Sequence, residues 1–128
     1  MNLLLDTHIA LWAITDHPTL GRAARQAILA PEATVWVSAA SVWEIAIKHS
    51  LGRDSMPVSG QEALGHFREA GYLLLEIKPE HAAAIERLPP LHADPFDRLL
   101  VAQAQVEPMR LLTRDSKMVE YGSCVELV

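Results

Sequence analysis

A single cysteine, Cys124, among 128 residues excludes an internal disulfide and any cysteine-only metal site. A reducing compartment is therefore permitted. No run approaches the roughly 18 uncharged apolar residues that a membrane helix requires. Met1 to Asp6 places no basic segment ahead of a long apolar run, so no secretory leader is expected. Positive charge is also scarce: eleven Lys and Arg stand against sixteen Asp and Glu, a formal net charge of −5. That balance argues against binding nucleic acid through a broad basic face, because phosphate contacts rest on Lys and Arg. Three Trp, two Tyr and two Phe are too few for an extended base-stacking platform. A polyanionic substrate would need metal cations or a small local patch. Half the residues are hydrophobic, which at this length suffices for one core without staples. The expectation is a cytoplasmic, water-soluble single domain over residues 1–128.

Apolar and polar positions alternate between strand-like and helix-like periods along the chain. Asn2 to Leu5 reads as a buried strand, and Thr7 to Ile14 as a helix with Ile9, Trp12 and Ala13 at helical spacing. Thr19 to Ala30 is a second helical stripe, stopped by Pro31. Thr34 to Ser38 is β-branched and aromatic, hence a strand, and Ser38 can cap a helix from Ala39 to about Leu51. Further helices are expected at Gln61 to Glu69, Pro79 to Leu88 and Phe96 to Gln105. Strands are expected at Tyr72 to Ile77, Met109 to Thr113 and Val125 to Val128, with a helical turn at Ser116 to Tyr121. This alternation predicts an α/β domain with a mostly parallel sheet covered on both faces. Such sheets bind ligands beyond the carboxyl ends of their strands.

Acids stand at several such ends. Asp6 follows Leu3-Leu4-Leu5, and Asp115 follows Leu111-Leu112-Thr113-Arg114. Asp97 falls in the first turn of a helix behind His92-Ala93-Asp94-Pro95, and Glu44 interrupts the apolar run Val42 to Ile47. Carboxylates gathered together raise one another's pKa unless a cation holds them. Oxygen-rich sites of this kind suit Mg²⁺ or Mn²⁺. Each acid alone also fits a structural role: Asp6, Asp94 and Asp115 as caps, Asp97 beside a helix N-terminus, Glu44 in an i,i+4 pair with Lys48.

Four segments in order carry a more specific signal: Leu3-Leu4-Leu5-Asp6-Thr7-His8, Ser41-Val42-Trp43-Glu44-Ile45-Ala46-Ile47-Lys48, Asp94-Pro95-Phe96-Asp97-Arg98-Leu99-Leu100-Val101-Ala102-Gln103-Ala104, and Leu112-Thr113-Arg114-Asp115. Together they resemble the PIN-domain ribonucleases, in particular the VapC-like toxins of bacterial toxin–antitoxin pairs. The resemblance runs from Leu3 to Asp115. It implies a PIN-like three-layer α/β/α domain and metal-dependent hydrolysis of RNA phosphodiester bonds with Mg²⁺ or Mn²⁺. It also implies that Asp6, Glu44, Asp97 and Asp115 form an acidic pocket. Asp6 and Asp97 would be direct ligands, and Glu44 and Asp115 would complete the site or act through water. Thr7 and Thr113 stand beside the acids as supporting hydroxyls, and Asp94 is ambiguous between the pocket and a cap across Pro95. The implied partners are an RNA substrate, a VapB-like antitoxin and a second copy of the chain.

The remaining candidates read more plainly. Six histidines show no zinc spacing, and His92 near the acidic loop fits either substrate contact or loop support. Trp12, Trp36 and Trp43 read as core or dimer-interface bulk. Lys48, Arg98 and Arg114, with Arg53 and Lys117, could form a phosphate-steering rim. Two alternatives compete: a Mg²⁺-binding phosphoreceiver-like domain and a non-catalytic interaction module. A receiver would want paired acids after the first strand and an acceptor Asp after a central one, where Thr7-His8 and Ser38 stand.

Overall fold

Three consecutive leucines leave β1 (Asn2–Leu5) no polar face, and all three are buried. A strand of this kind belongs in the middle of a sheet covered on both sides. The computed structural model, which describes residues 1–54 and 56–128, places it there. β1 leads into α1 (Thr7–Thr15) and α2 (Arg22–Leu29), then β2 (Thr34–Ser38). α3 (Ala39–Ser50) and α4 (Gly60–Glu69) precede β3 (Leu73–Leu75). α5 (Pro79–Ala84) and α6 (Pro95–Val106) precede β4 (Arg110–Thr113), and a 3₁₀ turn at Met118–Tyr121 leads to β5 (Val125–Leu127). The five strands are all parallel in the order β3-β2-β1-β4-β5.

Successive side chains of a strand point to opposite faces, which divides the core in two. Leu3 and Leu5, with Val35, Val37 and Leu112, pack with Ile9 of α1, Ala24 of α2, Ile45 of α3 and Phe67 of α4. Leu4 and Leu111 pack on the other face with Leu100, Val101 and Ala104 of α6, Met118 and Tyr121. The result is a three-layer α/β/α architecture, as the alternation of elements predicts. Close approach of α4 to α3 requires Gly60, where a Cβ would sit 2.8 Å from the Cβ of Ala46.

The chain order matters more than the strand count. β1, β2 and β3 are laid down in one direction, after which the chain crosses back to put β4 on the other side of β1. Helices on the two sides of this reversal diverge, so a crevice opens at the carboxyl ends of β1 and β4. Two expectations shift locally. The third strand is confined to Leu73–Leu75 rather than Tyr72 to Ile77. The helix opened by Pro79 ends at Ala84 and tightens into a 3₁₀ turn over Ile85–Arg87, because Pro89 disfavours helical backbone at Leu88.

Candidate active site

Each of the four acids is delivered by a different element. Asp6 is the first residue beyond β1, and its backbone N–H still donates to Leu112 O of β4. Its side chain caps α1: Oδ1 accepts from Ile9 N–H at 2.8 Å, and Oδ2 accepts from the Thr113 hydroxyl at 2.5 Å. Burial pushes its pKa up, and the Thr113 and Ile9 hydrogen bonds oppose that rise. Capping and membership of an acidic pocket are thus the same placement.

Thr113 ends β4 and is fully buried. Its hydroxyl donates to Asp6 and accepts the N–H of Asp115 at 3.0 Å, joining the two strand ends through one side chain. Asp115 in turn accepts Lys117 N–H through Oδ1 and faces His92 through Oδ2. Burial works against its charge, yet the His92 and Lys117 hydrogen bonds hold its carboxyl below the usual range.

Glu44 lies in the second turn of α3 and is buried. Thr7 Oγ1 lies 2.7 Å from Glu44 Oε1 and 2.9 Å from Ser41 Oγ. With one proton to give, Thr7 donates to the carboxylate and accepts from Ser41. Lys48, one turn on, meets Glu44 Oε2 at 2.5 Å. The expected i,i+4 pair therefore exists, but it balances a buried acid rather than decorating a surface. Ser41 is a participant the motif reading passed over; its only sequence signal is its position three residues before Glu44, on the same helical face.

Asp94 caps α6, accepting from Phe96 N–H at 2.8 Å and from Asp97 N–H at 3.4 Å. The cap expected of this residue is present, and its charge also bears on Asp97. Asp97 sits in the first turn behind it and is only partly exposed. Burial raises its pKa to about 7, helped by the charges of Asp94, Asp6 and Glu44 and opposed by His92. All four acids are therefore near enough to bear on Asp97 or to share its neighbours.

His92 binds the loop and the site at once. Its Nδ1 accepts Asp94 N–H at 3.1 Å, so the proton of the neutral ring is on Nε2. Nε2 lies 2.9 Å from Asp115 Oδ2 and 3.3 Å from Asp97 Oδ2. Among the described residues, His92, Asp97 and Asp115 each offer a ligand atom within 4.8 Å of the others. The donors fit a divalent cation: hard carboxylate oxygens dominate, and burial together with the neighbouring acids disfavours the charge of Asp97, which a cation would offset.

Three members of the expected basic rim, Arg98, Arg114 and Lys48, already have partners within the chain. Arg98 is turned onto the carbonyls of Pro89, Ile85 and Leu88 and the hydroxyl of Tyr121, so it ties down the loop before α6. Arg114 donates to Thr19 O and lies over the Trp12 ring. Lys48 is engaged by Glu44.

Comparison with known proteins accords with this geometry. A family model described as PIN domain matches residues 3–123. The chain is 34% identical over 121 residues to Ribonuclease VapC22 of Mycobacterium tuberculosis, covering 91% of this chain and 88% of that protein. Among solved structures, VapBC2 from Rickettsia felis, bound to a DNA fragment from its promoter, aligns with a TM-score of 0.73 at 20% identity. That alignment covers 100% of this chain and 98% of the other. A toxin–antitoxin complex from Klebsiella pneumoniae gives 0.67 at 21% identity, covering 97% and 95%. At these identities the structural likeness is one of fold.

Proposed function

This chain belongs to the PIN domain family, and from that premise we propose that it is a metal-dependent endoribonuclease acting as the toxin of a toxin–antitoxin pair. The observation that carries the reading is the convergence of Asp6, Glu44, Asp97 and Asp115 at the point where the strand order reverses. The 34% identity to a protein named as a ribonuclease supports RNA as substrate.

Asp6 and Asp97 are the direct ligands in this reading, and Glu44 and Asp115 complete the pocket. Asp6 and Asp97, with Glu44 and Asp115, would hold Mg²⁺ or Mn²⁺, which would supply Lewis-acid stabilisation of phosphate charge and make an attacking water easier to deprotonate. The chain's own part is positional. Thr113 and Ile9 N–H fix the Asp6 carboxylate, Thr7 fixes that of Glu44, and Asp94 anchors the α6 terminus that carries Asp97. The overall acidity is then no obstacle, because the bound cation offsets it locally.

The partners follow the same line. A VapB-like antitoxin is proposed because the solved fold neighbours include toxin–antitoxin complexes. A homodimer is proposed on Trp43, 55% exposed on α3 and packed edge-to-face on Phe96 beside the site. Among the described residues, no helix is long and apolar enough to cross a membrane, and the cytoplasm is the proposed compartment.

Incubation of purified protein with RNA, with Mn²⁺ or with chelator, tests the activity. Cleavage only with the ion is expected, and its loss in a folded Asp97→Asn variant. Equal cleavage by that variant, or none by the wild type, would overturn the reading.

A further inference from the structure

Ser41, Glu44 and Lys48 follow one another at helical spacing on α3, so all three lie along one face of the helix. The Glu44 side chain is buried and that of Lys48 is 28% exposed, which sets the ammonium between the buried acid and solvent. Its contact with Glu44 Oε2 at 2.5 Å is, among the described residues, the only Lys or Arg ion pair made by any of the four acids. Asp97 and Asp115 face His92, while Asp6 is held by a hydroxyl and a backbone N–H. Arg98 and Arg114 donate to backbone carbonyls outside the pocket.

Both oxygens of Glu44 are engaged. Oε1 accepts the Thr7 hydroxyl at 2.7 Å, and Oε2 meets the ammonium. A Mg²⁺ ion on Oε2, about 2.1 Å from the oxygen, would stand within about 5 Å of the Lys48 nitrogen. Two positive charges that close, beside a buried carboxylate, repel strongly. The ion pair and direct ligation at this oxygen therefore oppose one another. Asp97 is the contrasting case: its carboxylate has His92 at 3.3 Å and no Lys or Arg, so that side of the pocket keeps negative charge for a cation to meet. Two-ion sites place a positive charge on each side of the phosphate. A lysine ammonium is a compact fixed charge that can supply one of them.

We propose that Lys48 stands in for a second divalent cation, so that the pocket takes a single Mg²⁺ or Mn²⁺ ion and Glu44 is paired with the ammonium instead of a metal. This rests on the metal-dependent endoribonuclease reading. Lys48 then fixes the ion count, a role that an i,i+4 surface pair does not have.

The test counts Mn²⁺ ions on the folded chain. Free Mn²⁺ is read by its EPR signal during titration to millimolar metal, and spin coupling in the bound spectrum shows whether two ions share a pocket. Wild type is expected to bind one uncoupled ion per chain. Lys48→Met keeps the aliphatic stem and removes the charge, and it should bind two coupled ions. Lys48→Arg retains the charge and should return the count to one. Glu44→Gln combined with Lys48→Met should also bind one, because the freed carboxylate is gone. Melting curves in chelator establish that each protein is folded, and Lys48→Gln carries the same comparison if Lys48→Met does not fold. Two coupled ions in the wild type would overturn the assignment of Lys48 while leaving the nuclease reading intact. A single ion in the folded charge-removing variant, or a second ion without coupling, would overturn it as well. A wild type that binds no Mn²⁺ and cuts no RNA would instead overturn the endoribonuclease reading itself.

Discussion

His92 donates from Nε2 to Asp115 Oδ2 at 2.9 Å while the same nitrogen stands 3.3 Å from Asp97 Oδ2. One imidazole thus lies between two carboxylates delivered by separate elements, the first turn of α6 and the segment after β4. It is oriented by the N–H of Asp94, the residue that also caps α6. The loop before α6 and the pocket are therefore one hydrogen-bonded unit.

Removing that bridge leaves the carboxylates facing each other. His92→Ala is expected to destabilise the metal-free protein by about 1.5–3 kcal/mol, the scale of a hydrogen bond to a charged group. The stabilisation gained on adding Mn²⁺ should grow, because more repulsion is relieved. Melting curves with chelator and with Mn²⁺ measure both effects; a smaller metal-induced gain in the variant would contradict the arrangement.

The raised pKa of Asp97 sets a pH dependence with a definite sign. Its folded value of about 7 lies well above the ordinary range of an aspartate, so the folded state binds this proton more tightly. The resulting stability is fully present below about 4 and is lost as pH rises to about 7. Metal-free wild type should lose urea resistance between pH 5 and pH 7.5 more steeply than Asp97→Asn, which carries no titrating group. Above pH 7.5 the variant should be the more stable. Parallel pH profiles for the two proteins would show that Asp97 is not so perturbed.

Thr113→Val keeps shape and deletes the hydroxyl that joins Asp6 to the Asp115 backbone. Because the site is fully buried, a loss of about 1–3 kcal/mol is expected from the groups left unpaired. Asp6, losing a hydrogen bond that favours its charged form, should also bind Mn²⁺ more weakly. Calorimetric titration with Mn²⁺ separates this effect from stability alone, since an unchanged affinity would leave Thr113 a purely structural residue.

Trp43→Asp addresses the proposed dimer. The ring is mostly exposed in the isolated chain, so a folded monomer should survive the change. Sedimentation equilibrium is expected to give twice the chain mass for wild type and the single mass for the variant. A monomeric wild type, or a variant that still pairs, would remove α3 from the interface.

Much of this was present in the order of residues. The leucine triplet before Asp6, the strand at Thr34–Ser38 and the capped helices after Ser38 and Asp94 follow from local propensity and hydrogen-bonding chemistry, which act over a few neighbouring residues. The candidacy of the four acids was equally legible, Asp6 and Asp115 beyond apolar strands, Asp97 in the first turn of a helix and Glu44 inside an apolar run. Tertiary structure decided what those acids meet. That Thr113 reaches Asp6 across 107 residues, that His92 bridges Asp97 and Asp115, and that Arg98 faces loop carbonyls all depend on the crossing that sets β4 beside β1. Local periodicity marks which residues are buried, but not which buried neighbours share a crevice, because strand order arises from packing between segments distant in the chain.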